Sequence, residues 1–204
     1  MRLGHILVLG MLSLPLACAA HGASLAEEID EIRQVDRELA ARGGAARAPQ
    51  LAGRSARLKQ AAIDHAIVAY AIDVKALPAG VHYSPHGGMR ERDGATILDR
   101  DGTLRVQIGD QAFRSAGWLA STIAHEVEVH VNRQIARGRR ASSSDAESTS
   151  IEEIEAYDFE LASQARFGMH PDEGRVVRQR RMAFYRTLQY ENRARVDAGV
   201  YTKQ

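Results

Sequence analysis

His125-Glu126-Val127-Glu128-Val129-His130 is the stretch on which the reading of this chain turns. Two histidines with a glutamate beside the first are the start of a catalytic zinc site, usually spaced H-E-x-x-H on one helix. Here the histidines are five residues apart instead of four. An α-helix turns about 100° per residue, so this spacing splays them by about 140°. Two local structures would bring them back together. One is a single-turn π-bulge, which realigns residues five apart. The other is a helix that ends or loosens near His130. Val127, Val129 and Val131 are β-branched and mildly disfavour a regular helix, which permits either.

A catalytic zinc takes three protein ligands and leaves one position open. His125 and His130 supply two, and a third is expected from a second helix packed across the first. The run Glu152-Glu153-Ile154-Glu155-Ala156-Tyr157 offers Glu152, Glu153 and Glu155, and the 23 residues from His130 to Glu153 suffice for a loop and a return. Glu155 faces away from Glu153 on a helix, so one ion cannot readily use both. Glu126 is the expected general base, taking a proton from water and passing it to the leaving amine. Glu128 reads as a solvated helix residue. Peptide hydrolysis also needs a donor to the developing oxyanion. Tyr157, Tyr185, Tyr190, His82 and His86 are the candidates.

With these residues in view, the chain resembles a known group. The spacing H-E-x-x-x-H is that of the dipeptidyl peptidase III family of zinc peptidases, where it stands as HELLGH; here it is HEVEVH. That family's EExRAE motif is similar to Glu152-Glu153-Ile154-Glu155-Ala156-Tyr157, and the resemblance makes Glu153 the third ligand. The E-x-x-A-D motif of CAAX prenyl proteases and related gluzincins matches at Glu153 and Ala156. Tyr157 replaces the Asp that supports a metal-bound histidine there, and Asp158 is the nearby substitute. The likeness spans about Leu104 to Ala162, and the chain is far smaller than a dipeptidyl peptidase III. What it implies is the broader gluzincin-like class: Zn2+ as cofactor, a peptide or protein substrate, and a sheet edge ahead of the motif helix on which substrate pairs as an added strand. Leu104 to Ile108, before the helix from Ala116, is in that order.

The rest of the chain frames this site. At 204 residues it is one domain, with a helical region over 23–77 and a metallopeptidase region over 78–204. With 45% hydrophobic and 26% charged residues it has the composition of a globular protein. A net charge of +1 provides no field for nucleic acid. The arginines at 137, 139 and 140, and at 175, 178, 180 and 181, read as solvated faces. Helices are expected over Ala23 to Arg42, ended by Gly43-Gly44, and over Leu51 to Leu77, stopped by Pro78 and Gly80. His65 in the second is expected to be a satisfied packing residue. Val81 to Ser84 reads as a short strand. Ala95 to Leu98 and Leu104 to Ile108 flank Asp99-Arg100-Asp101-Gly102, a hairpin signal. Gln111 to Phe113 could add a short strand. Helix resumes over Ala116 to Ala136. A capping box at Ser150 and Glu153 would start the next helix, to about Phe167. Pro171 would open a last one, to about Arg195. The expected fold is α+β and zincin-like: a small antiparallel sheet, a motif helix and flanking helices.

Residues 1–20 have the layout of a secretory signal: Arg2, an apolar run from Leu3 to Leu16, then Ala17-Cys18-Ala19-Ala20. Cys18, the single cysteine, stands where a lipid-modified cysteine would fall, although Pro15 departs from the bacterial lipobox. A cut after Ala19 or Ala20 fits as well. The expectation is therefore an exported protein, periplasmic or lipid-anchored to the envelope, with no disulfide within the chain. Two further readings are open on sequence alone. One is a non-catalytic helical scaffold or binding protein of the envelope. The other is a secreted antagonistic peptidase toxin.

Overall fold

Leu25, Ile29, Ile32 and Val35 recur at steps of four and three and are buried along one face of α1, Leu25–Ala41. Ser24 and Glu27 cap that helix reciprocally. In the computed structural model, which describes residues 23–138 and 145–202, α1 packs antiparallel-fashion beside α2, Pro49–Ala69. The expected secretory segment and Cys18 lie outside the described residues, as do Arg139 and Arg140. Among the described residues no helix is long and apolar enough to cross a membrane.

α2 stops eight residues short of Leu77. Ala71 takes a left-handed backbone, and Ile72 and Leu77 then turn into the core from separate bends. The apolar spacing of that segment thus serves loop residues that plug the core, not a longer helix. His65 does not pack inside; it is half-exposed, its Nδ1 lying 3.1 Å from Glu28 Oε1.

The sheet has three strands in the order β1-β3-β2, with β1 Val81–Tyr83, β2 Gly94–Leu98 and β3 Leu104–Ile108. Asp99 to Thr103 close the β2–β3 hairpin, with Gly102 at φ +82°. β2 pairs antiparallel with β3, but β1 pairs parallel with it, Val81 opposite Val106. The expected antiparallel sheet is therefore mixed. The chain leaves β1 through a 3₁₀ turn, Gly87–Glu91, and places β2 on the far side of β3. Gln111 to Phe113 adds no strand; Asp110–Ala112 is another 3₁₀ turn. Leu104, Val106 and Ile108 are fully buried, as their alternation demands.

α3, Ala116–Ala124, is buried on every side from Gly117 onward, which explains its nearly unbroken apolar sequence. It continues without a break into a π-helical stretch, His125–Val131, and a last α-turn, α4, Asn132–Ala136. Leu25, Ile63, Val106, Trp118, Leu119, Ile123 and Phe167 share one core, so the N-terminal helices, the sheet and α3 are packed together. Lys59, almost wholly buried, joins α2 to Asp36 at 2.8 Å and to Asp110 at 2.7 Å. Loss of either partner would leave a buried charge poorly compensated.

α5 runs from Ala146 to Ala162, starting before Ser150. Asp145 is the N-cap, and Ser150 lies inside the helix with its hydroxyl donating to Ala146 O at 3.0 Å. A hydroxyl that can bond the preceding turn does not need to begin a helix. A short turn, α6, Gln164–Phe167, ends at left-handed Gly168. The expected last helix is two: α7, Pro171–Tyr185, and α8, Tyr190–Asp197. The break lets Leu188 turn inward onto Ile151, Ile154 and Val196.

Candidate metal centre

The π-helical stretch resolves the five-residue spacing. His125 and His130 face each other, their rings 4.9 Å apart and their Nε2 atoms 3.1 Å apart. Of the two local structures that the spacing permits, the bulge is the one formed. α5 crosses this stretch and brings Glu153 opposite the pair. Its carboxylate oxygens lie 3.8 Å from His125 Nε2 and 3.6 Å from His130 Nε2. Among the described residues these three form the group whose donor atoms converge closely enough to hold one metal ion.

The neighbouring acids are otherwise engaged. Glu152 pairs with Arg137, and Glu155 with Arg133, and neither belongs to the converging group. Glu128 points to the other side of the helix and is gripped by Arg166 at 2.8 Å through both oxygens. It is therefore an ion-paired residue rather than a freely solvated one. The arginine clusters are also less solvated than their runs suggest. Arg180 pairs with Asp93 and Arg181 with Asp158.

Asp158 does not support a histidine; Arg181 and the Tyr201 hydroxyl hold it. That role falls to Glu160, whose Oε1 lies 2.6 Å from His125 Nδ1 and whose Oε2 accepts from Ser121 Oγ at 3.0 Å. Sequence reasoning missed Glu160. A signal was present, since seven residues after Glu153 is two helical turns and returns to the same face. The bond to Glu160 engages Nδ1 and so directs the Nε2 of His125 toward Glu153 and His130, the arrangement seen when an outer carboxylate orients a metal-binding histidine.

Charge is unevenly distributed over the group. Burial alone would push His125 down, but the Glu160 bond and the charges of Glu160, Glu126 and Glu153 outweigh it and raise the imidazole to about 9. Burial, the His125 charge and Arg133 push His130 down to about 3. Of the two imidazoles, His125 is therefore the one whose charged form its neighbours favour. Burial raises Glu126 to about 7, partly offset by His125 and by a hydrogen bond from Thr96. Burial also raises Glu153, against the pull of His125. Shifts on Glu126, His125, His130 and Glu153 gather in one place, a clustering found at functional sites and in structural ion-pair networks alike.

The donor set fits a divalent ion. Tetrahedral zinc at about 2.0–2.1 Å from each donor sets neighbouring donors roughly 3.3 Å apart. The observed 3.1, 3.6 and 3.8 Å separations need only small adjustments. A cavity of about 300 Å³ opens beside His125, Glu126 and Glu153, with Tyr157 and Arg180 in its wall. Tyr157 sets its ring edge against His125 at 5.2 Å. Among the described residues its hydroxyl finds no hydrogen-bond partner, though the residue is only 8% exposed. Trp118 Nε1 donates to Asp93 at 2.9 Å and supports the same wall.

The other oxyanion candidates do not reach this cavity. His82 and His86 are exposed, Tyr190 is on the surface, and Tyr185 donates to Asp197. β3 is not the sheet edge expected beside the site, because β1 and β2 flank it. The edge is β2, whose Thr96 and Gly94 touch Glu126.

Comparison with family models, with curated proteins and with solved structures returned no match for this chain.

Proposed function

We propose that this protein is an exported zinc-dependent peptidase with a zincin-like fold, acting on peptide or protein substrates. The observation that carries the reading is the meeting of His125 Nε2, His130 Nε2 and Glu153 at a π-helical stretch that also bears Glu126. Two imidazole nitrogens and one carboxylate suit zinc with an open position. A zinc ion bound there supplies Lewis acidity toward water and toward the scissile carbonyl.

The chain's own residues supply the rest. Glu126, buried in the cavity wall and raised to about 7, accepts a proton from the attacking water near neutral pH and returns it to the departing amine. Glu160 holds His125 by its far nitrogen. The Tyr157 hydroxyl, without a hydrogen-bond partner among the described residues, donates to the oxygen on which charge develops. The edge of β2, which has no strand beyond it among the described residues, offers backbone groups to an extended peptide.

The test is metal analysis of the purified mature protein beside hydrolysis of a mixed peptide library. Stoichiometric zinc and cleavage are expected. Glu126→Gln keeps the metal and loses cleavage, and His130→Ala loses the metal. Full activity in Glu126→Gln ends this reading. Absence of metal, with melting unchanged by chelator, would favour the scaffold reading instead.

A further inference from the structure

We propose that the edge strand β2 sets the position of the Glu126 carboxylate, with Thr96 and Gly94 as its positioning residues. The inference rests on Glu126 being the general base. Glutamate has a long side chain with several rotatable bonds, and a base must be held within a fraction of an ångström of its working place. Nothing on α3 or the π-helical stretch itself anchors this one. Thr96 does, from across the gap between strand and helix. Its Oγ1 lies 2.9 Å from Glu126 Oε2 and 3.2 Å from the Glu126 carbonyl oxygen. The single hydroxyl hydrogen is within reach of both acceptors and lies nearer the side-chain oxygen, so the tether is mainly to Oε2. Oε2 is held, and Oε1 is left for the proton that is to be moved.

Gly94, two residues earlier and on the same face of the strand, bounds the side chain at its Cγ and at its other oxygen, Oε1. A Cβ at this position would lie 2.9 Å from Glu126 Cγ and Oε1 and 3.2 Å from Thr122 Cγ2. Gly94 is absent from the glycines with left-handed backbone, so conformation does not require glycine here. The space taken by Glu126 does. A methyl group would press first on the Glu126 side chain and on Thr122, and none of its three nearest atoms belongs to His125, His130 or Glu153. Thr96 and Gly94 thus act as tether and clearance, and both follow from the register of β2 on β3, in which Thr96 lies opposite Val106 and Gly94 opposite Ile108.

The experiment uses the zinc-loaded full chain and one peptide chosen from the library as cleaved by the wild type. Thr96→Val, Thr96→Ser, Gly94→Ala and Glu126→Gln are compared for kcat, KM and zinc content, and Gly94→Ala is crystallised. Thr96→Val is expected to lower kcat about 10–100-fold with KM and zinc unchanged. Thr96→Ser restores most of the loss, because it keeps the hydroxyl. Gly94→Ala lowers kcat at least as far, and its crystal structure shows the carboxylate displaced. Wild-type kcat in Thr96→Val, or no recovery in Thr96→Ser, overturns the inference. So does an unmoved carboxylate in Gly94→Ala. If Glu126→Gln is inactive while Thr96→Val is unaffected, only this inference falls. If Glu126→Gln is active, or the wild type cleaves nothing, the peptidase reading falls and takes the inference with it.

Discussion

Glu160 Oε1 stands 2.6 Å from His125 Nδ1, a contact between two buried side chains 35 residues apart in sequence. It engages one nitrogen of His125 and thereby commits the other to the centre of the site. The histidine cannot then rotate its ring without breaking a bond to a charged partner, which strengthens such a contact.

Removing that carboxylate is therefore expected to weaken metal binding without removing a ligand. Glu160→Gln should lower zinc affinity by about 10–100-fold, measured by competition with a chromophoric chelator. Affinity equal to wild type would show that His125 is oriented by packing alone.

Tyr157 provides a separate check on catalysis. Tyr157→Phe keeps the ring against His125 and Phe184 and deletes only the hydroxyl. The expected loss is about 100-fold in kcat with zinc content unchanged. A kcat near wild type assigns the oxyanion donor elsewhere.

The metal-free protein should respond to pH through His125. Its imidazole is raised from 6.5 to about 9, so its protonated form contributes stability that is fully present below 6.5 and is lost as pH rises through 9. The melting temperature of chelated protein should fall over that window. Zinc bound as proposed would displace the same proton, so apparent zinc affinity should rise by roughly tenfold per pH unit from about 7 until it levels near 9. Titration with buffered zinc across this range checks the slope, and a flat profile contradicts it.

Gly109 is expected to be the least tolerant glycine near the site. A Cβ there would run into the backbone carbonyls of Met89 and Arg92, which cannot swing aside as a side chain can. Gly109→Ala should destabilise by about 1–3 kcal/mol or more, read from denaturant unfolding. Because the same turn leads into Asp93 and Gly94, activity should fall with it. Unfolding at the wild-type midpoint would show that the loop gives way freely.

The helical elements around the site were readable from apolar spacing, and the β2–β3 hairpin from Asp99-Arg100-Asp101-Gly102. Both signals are local, and such signals weaken at boundaries. Ile72 and Leu77 continue the spacing of α2 yet plug the core from loops. Ser150 and Glu153 imitate a helix start in the middle of α5. The parallel pairing of β1 was illegible, because it depends on which side of β3 the chain crosses.

His125, Glu126, His130 and the acidic run that contains Glu153 were all set out by the order of residues alone, because a donor's chemistry belongs to its side chain. Which carboxylate meets the histidines is a matter of packing: Arg133 and Arg137 occupy Glu155 and Glu152, and Glu153 remains. The choice of a π turn over a frayed end, the recruitment of Glu160, and the placing of β2 beside Glu126 were likewise decided in three dimensions. Each depends on contacts between segments distant along the chain, whose energies no local pattern encodes.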